Sequence, residues 1–233
     1  MAQHIMKYSF LSYIIFILTF MHNSYAEPTQ ADRDLEKWFE SDEEISTEHI
    51  NEGELKFLNP PFKPSLHSIN RIFISQQSLT TGWVLLEQCY EQLDPVPVTE
   101  IIYQYKHIRN LRITTQQNIE SSTLDKKSVQ LENVGKKAKL CIKADVKILN
   151  RHDNGSYSLV NGPFHRQFLH GYYPYHLSLQ VNYPSSTLTL VSTIPENQKG
   201  FMVKKTLDML HIESHFEGML TIELVFKQKA ADT

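Results

Sequence analysis

Hydrophobic residues recur at every second position over long stretches of this chain, and that period dictates extended backbone. Tyr175, Leu177, Leu179, Val181 and Tyr183 alternate with His176, Ser178, Gln180 and Asn182. Leu140, Ile142, Ala144, Val146 and Ile148 alternate with Cys141, Lys143, Asp145 and Lys147. Leu220, Ile222, Leu224 and Phe226 alternate with Thr221, Glu223 and Val225. Such a row puts its apolar side chains on one side of a strand and leaves the other side wet. Shorter strands are expected at residues 71–75, 82–90, 100–105, 110–115, 129–131, 157–160, 188–192 and 209–216. Turn signals punctuate them: Asp94-Pro95, Asn154-Gly155, Pro184-Ser185-Ser186 and Ile194-Pro195-Glu196-Asn197. Many short strands with this punctuation predict a mainly β protein, an antiparallel β-sandwich of the Ig-like or Greek-key class.

One stretch breaks the β rhythm. In residues 161–174, Asn161 suits a cap, Pro163 a first turn and Gly171 a stop, with Phe164 and Phe168 at i, i+4. A helical turn or two is expected there.

The N-terminus has the form of an address. Lys7 precedes an apolar run, FLSYIIFILTFM, and the small residues Ser24 and Ala26 stand at the −3 and −1 positions of a cut. Residues 1–26 are therefore expected to be a secretory signal peptide, the run being shorter than the roughly 20 residues of a membrane span. No later segment is expected to span a membrane. Residues 27–64 read as an acidic arm with a Pro-rich linker, and residues 65–233 as the β domain. The stretch 27–54 holds eleven acids against Arg33 and Lys37, net −9, whereas 55–233 is net +5. Leu35, Trp38 and Phe39 form one stripe of a short arm helix, for which docking on the body is expected. Periplasmic or secreted localisation follows. There the lone pair Cys89 and Cys141 is expected to form a disulfide. Cys141 stands on the lysine-bearing face of its strand, which places that bond on a polar surface or an edge rather than in the core.

Two stretches are distinctive: SLTTGWVLLEQCYEQLDPVPVTEIIY at 78–103 and NGPFHRQFLHGYYPYHLSLQVNYP at 161–184. Together they resemble an uncharacterised family of exported proteobacterial proteins, over roughly residues 68–227. The resemblance implies a Gram-negative envelope context and no known activity.

Candidate chemistry is sparse. There is no G-x-S-x-G, H-E-x-x-H or phosphate-binding glycine loop, and the whole chain holds eight glycines. On a strand, His211, Glu213 and His215 share a face and suit Zn2+, with a nearby thioether favouring Cu+. The simpler expectation is a solvated row, since Leu210, Ile212 and Phe216 form the core side, so no cofactor is expected. A second cluster, His165, Arg166, His170, Tyr172, Tyr173 and His176, suits a sugar or an anion if exposed, and a hydrophobic plug if not. The lysines between Lys126 and Lys147 lack interleaved aromatics, and with a net charge of −3 they do not suggest nucleic acid. The leading expectation is a non-catalytic binding or assembly module of the envelope, its partner an envelope protein or a glycan. The alternatives are a periplasmic metal-binding protein using His211, Glu213 and His215, and a hydrolase with its site near His165 and Arg166.

Overall fold

A computed structural model describes residues 51–59, 66–168 and 171–229. The expected helical arm around Trp38, and with it the signal peptide, lies outside the described residues. Within them the protein is mainly β. The strands are β1 (Lys56–Phe57), β2 (His67–Phe73), β3 (Trp83–Leu93), β4 (Val98–Ile102), β5 (Ile108–Leu124), β6 (Ser128–Lys147), β7 (Leu149–Arg151), β8 (Ser156–Phe164), β9 (Gln167–Phe168), β10 (Gly171–Tyr172), β11 (Tyr175–Asn182), β12 (Leu188–Ile194), β13 (Phe201–Lys205), β14 (Met209–Glu217) and β15 (Leu220–Gln228). One helical turn, α1 (Ser78–Thr81), links β2 to β3 and stops at Gly82 in the left-handed region.

The large sheet runs β1-β14-β11-β2-β3-β6-β4, with β13 also on β14 and β5 also on β6; a smaller sheet runs β12-β15-β8-β7. The three long alternating rows behave as their period dictates. Leu177, Leu179, Val181, Ile142, Ala144, Val146, Ile222, Leu224 and Phe226 are all essentially inaccessible. The inward rows of both sheets belong to one hydrophobic cluster.

The structure differs from expectation in three places. First, the large sheet is mixed, because β2 and β11 pair in parallel, His176 beside His67 through Asn182 beside Phe73. Parallel neighbours need a long crossover, which the chain between the two strands supplies; no local signal announces it. Second, the described residues of 161–174 are not helical. β8 continues to Phe164, held by pairing Leu220 with Phe164 and Ile222 with Asn161. The chain then forms the small β9–β10 ladder, Gly171 with Phe168 and Tyr172 with Gln167. Tertiary pairing outweighs weak helix propensity here. Gly162, at φ +116°, is pressed against this partner: a Cβ would stand 2.6 Å from the Leu220 carbonyl oxygen. Third, residues 51–59 of the acidic segment are built into the sheet. Lys56 and Phe57 pair with Glu217 and Phe216, and the Leu58 N–H donates to the His215 carbonyl at 2.8 Å.

The two longest strands carry the bulges that let them bend. β5 follows one side of β6 with three register shifts. The other side of β6 is shared by β4, which pairs from Ser128 to Glu132, and β3, which pairs from Ala138 to Lys147. Between those stretches Asn133 and Lys137 adopt positive φ, and the Asn133 amide donates to Glu120 at 2.6 Å. Asn tolerates this region better than most residues, so the bulge is locally encoded.

Cys89 and Cys141 are directly opposite each other on β3 and β6 and form a disulfide, Cα atoms 4.0 Å apart. The bond lies on the polar face of the sheet, as the lysines of β6 indicate, but between interior strands rather than at an edge. Cross-strand ion pairs flank it, Lys139 to Glu91 at 2.8 Å and Lys143 to Glu87. These two lysines are thus part of a paired polar face.

Candidate functional site

The outer face of the large sheet gathers its histidines through register. In β14 the inward row Leu210, Ile212, Ser214 and Phe216 is fully buried, so His211, Glu213 and His215 face outward, as expected. Cross-strand neighbours on one face stand about 4.5–5.5 Å apart at Cβ, closer than residues i and i+2 along one strand. The register therefore matters more than the motif. His176 of β11 sits between His67 of β2 and His215 of β14, and Ser178 sits opposite Glu213. The His67 and His176 rings stack at 3.7 Å, and His176 and His215 at 4.1 Å.

Glu213 is the hub of this face. The Ser178 hydroxyl donates to its Oε2 at 2.7 Å, and His176 Nε2 bonds its Oε1. His211 Nε2 is 3.3 Å from Oε2. Ser178 has one proton and spends it on the carboxylate, so it accepts from His67 Nε2 at 2.7 Å. Burial alone pushes the Glu213 carboxyl up; the hydrogen bonds from His176 and Ser178 and the adjacent imidazoles outweigh it and hold the group at about 2. Burial and then the neighbouring His176 push His67 below the usual histidine range, and the same two causes lower His215. His67, His176 and Glu213 each offer a ligand atom, all within 4.8 Å of one another. The expected trio His211, Glu213 and His215 does not converge in this way: His215 turns its ring to His176 instead.

The second arrangement is a cavity that opens to the surface, with the exposed Ile102 among its walls. Its volume is about 330 Å³, and it lies among β3, β4 and the segment after it, β11, and the end of β8 with the turn that follows. Its walls include Tyr90, Tyr103, Tyr105 and Tyr175. Burial raises the hydroxyls of all four: Tyr175 is pushed up to about 12, and the others further. Neighbouring tyrosines add to this for Tyr90 and Tyr105, whereas at Tyr103 the Tyr90 hydroxyl works against burial. The polar groups are not all paired. Gln88 Oε1, Tyr103 OH and His165 Nδ1, all on cavity-lining residues, are buried with no hydrogen-bond partner among the described residues. Asn161 accepts from the Tyr105 hydroxyl at 2.7 Å, yet its Nδ2 is likewise unpaired. Native interiors leave few such atoms, and three of them here belong to residues that line one cavity.

The cluster around residues 165–176 is divided by the fold. His165 and Arg166 line the cavity. Arg166 is engaged, its Nε donating to Asp94 Oδ2 at 2.9 Å and Nη1 to the Pro174 carbonyl at 3.3 Å. Its guanidinium also lies 5.4 Å from the Phe168 ring and 5.6 Å from that of Tyr173. It clamps the cavity rim to β3. Tyr172 packs edge-on against His165 at 5.8 Å, Tyr173 is exposed, and His176 belongs to the outer face. His170 lies outside the described residues.

His67, Gln88, Tyr90, Tyr103 and Tyr105 join these two arrangements although no motif in the sequence marks them. A signal existed for Gln88, because it interrupts the inward row Val84, Leu86, Gln88, Tyr90, as Ser68 and Asn70 interrupt that of Ile72. A polar residue in a buried row is the informative exception. Here the Ser68 hydroxyl accepts from Asn70 at 3.1 Å and from Gln88 at 3.3 Å.

The buried hydroxyls carry a pH prediction. A raised folded pKa stabilises the fold while the pH is below the unfolded value near 10, and that stability is lost as pH rises through the folded value. Absorbance titration at 295 nm should therefore show Tyr90, Tyr103, Tyr105 and Tyr175 silent to about pH 12, ionising only as the protein unfolds. Smooth titration of all tyrosines near pH 10 in folded protein would contradict the buried placement.

Among the described residues no helix is long and apolar enough to cross a membrane. No family model, curated protein or solved structure matches the chain, which agrees with its resemblance to an uncharacterised family and indicates no known activity.

Proposed function

We propose that this chain is a non-catalytic, exported binding module of the cell envelope, a β-sandwich whose ligand site is the tyrosine-lined cavity. One observation supports the reading: Gln88, Tyr103 and His165, each with a buried polar atom that has no hydrogen-bond partner among the described residues, line a space of about 330 Å³. That volume is at the lower end of ordinary small-molecule sites. The lining selects the ligand class. Arg166 and Asp94 neutralise each other at the rim, Glu100 adds a carboxylate to the lining, and most of the remaining wall is aromatic, amide or aliphatic. Tyrosine rings with amide and hydroxyl groups suit a neutral polyhydroxylated ligand of monosaccharide size. The disulfide is compatible with an oxidising compartment.

The test pairs binding with stability. Tyr103→Phe removes a buried hydroxyl whose neighbour is the Tyr90 hydroxyl and which has no partner of good hydrogen-bond geometry among the described residues. The variant should be as stable as the parent, or more stable by up to about 1 kcal/mol. The same change should weaken saccharide binding about tenfold, because it deletes a group the ligand uses. Neutral monosaccharides, glucose and N-acetylglucosamine among them, are titrated while tyrosine fluorescence and the thermal midpoint are followed. No saturable response in the parent, or a Tyr103→Phe variant that binds as well as the parent, refutes the cavity as the site.

A further inference from the structure

We propose that His67, His176 and Glu213 form a site for a divalent transition-metal ion of the Zn2+ type on the outer face of the large sheet. The three residues come from β2, β11 and β14, adjacent strands in that sheet. Their ligand atoms lie within 4.8 Å of one another. A tetrahedral ion with bonds of about 2.1 Å holds its ligands about 3.4 Å apart, so side-chain rotation alone closes the site. Two imidazoles and one carboxylate are the donor set of borderline divalent ions; Ca2+ and Mg2+ take mainly oxygen. Three protein ligands leave a fourth position for water, the pattern of an open Zn2+ site.

The surroundings are built to hold these ligands in place. Ser178 donates to Glu213 Oε2 at 2.7 Å and His211 Nε2 stands 3.3 Å from the same oxygen, leaving Oε1 directed at His176. His215 stacks on the far side of His176 at 4.1 Å and restricts its ring. Behind the face, Leu177, Leu179, Ile212 and Phe216 are inaccessible and fix the backbone. Rigid strands with a supporting shell of hydrogen bonds are what a metal site requires. Ligation through Nε2 leaves the single proton of each neutral imidazole on Nδ1.

The experiment uses the purified protein, stripped with a chelator and titrated with Zn2+ by calorimetry and with Co2+ by visible absorption. One equivalent of Zn2+ is expected, with a rise in the thermal midpoint. His67→Ala, His176→Ala and Glu213→Gln should each weaken binding by more than about tenfold. His107→Ala, on an exposed residue elsewhere, should change nothing. Tyr103→Phe should also leave Zn2+ binding intact, which separates this site from the cavity. Should a variant unfold, the parent's Co2+ spectrum decides: intense four-coordinate bands support the site, and a weak octahedral spectrum overturns it. Absence of stoichiometric binding, or full binding by the His67→Ala, His176→Ala double variant, also overturns it.

Discussion

Replacing Cys89 and Cys141 together with alanine should cost the protein about 4 kcal/mol of stability. The bond closes a loop of 52 residues, and the chain-entropy cost that this closure removes from the unfolded state is about 4 kcal/mol. That is a large share of the roughly 5–15 kcal/mol typical of a folded domain. The midpoint of thermal unfolding should fall by about 8–16 °C, at 2–4 °C per kcal/mol for a chain of this size. The strands it joins, β3 and β6, retain their ladder and the flanking pairs Lys139–Glu91 and Lys143–Glu87. The loss therefore should appear as reduced stability with unchanged far-UV circular dichroism below the transition. A thiol assay on unfolded, unreduced protein should find no free thiol. Two titratable thiols, or a double variant as stable as the parent, would refute the bond's role.

Phe216→Ala should cost about 3–5 kcal/mol, the range for truncating a fully buried aromatic. Phe216 is inaccessible, its ring lies 5.4 Å from that of Tyr175, and it sits between Tyr175 and Phe57 in the register of β11, β14 and β1. Its loss leaves a void beside Tyr175, which is also a wall of the cavity. Saccharide binding should weaken along with stability, whereas Phe216→Leu should keep most of both, at a cost under about 1.5 kcal/mol. The neighbouring change His215→Ala, one residue away on the opposite face, should cost at most about 1 kcal/mol. Urea unfolding of the three variants checks the contrast. Equal costs for Phe216→Ala and His215→Ala would mean that the faces of β14 are wrongly assigned.

Side-chain direction was readable from sequence, because a strand's period is two and needs no partner to define it. The rows of β11, β14 and β15, the polar face that bears Cys141 and the outward turn of His211, Glu213 and His215 all follow from that rule. The pairing of the cysteines followed from there being only two.

Neighbourhood was another matter. Period two fixes which face a side chain takes, but not which strand lies alongside or in what register. The parallel pairing of β2 with β11 brings His67 beside His176, although nothing near either residue in sequence marks the other. The antiparallel pairing of β2 with β3 sets Ser68 beside Tyr90 and Asn70 beside Gln88. Residues 161–174 carry acceptable helix signals, yet strand pairing with β15 holds Asn161 and Phe164 extended, since a ladder and a buried face outweigh weak local preferences. Local period thus determined the faces. Only tertiary pairing, where cross-strand neighbours stand closer than neighbours along a strand, decided which side chains share a site.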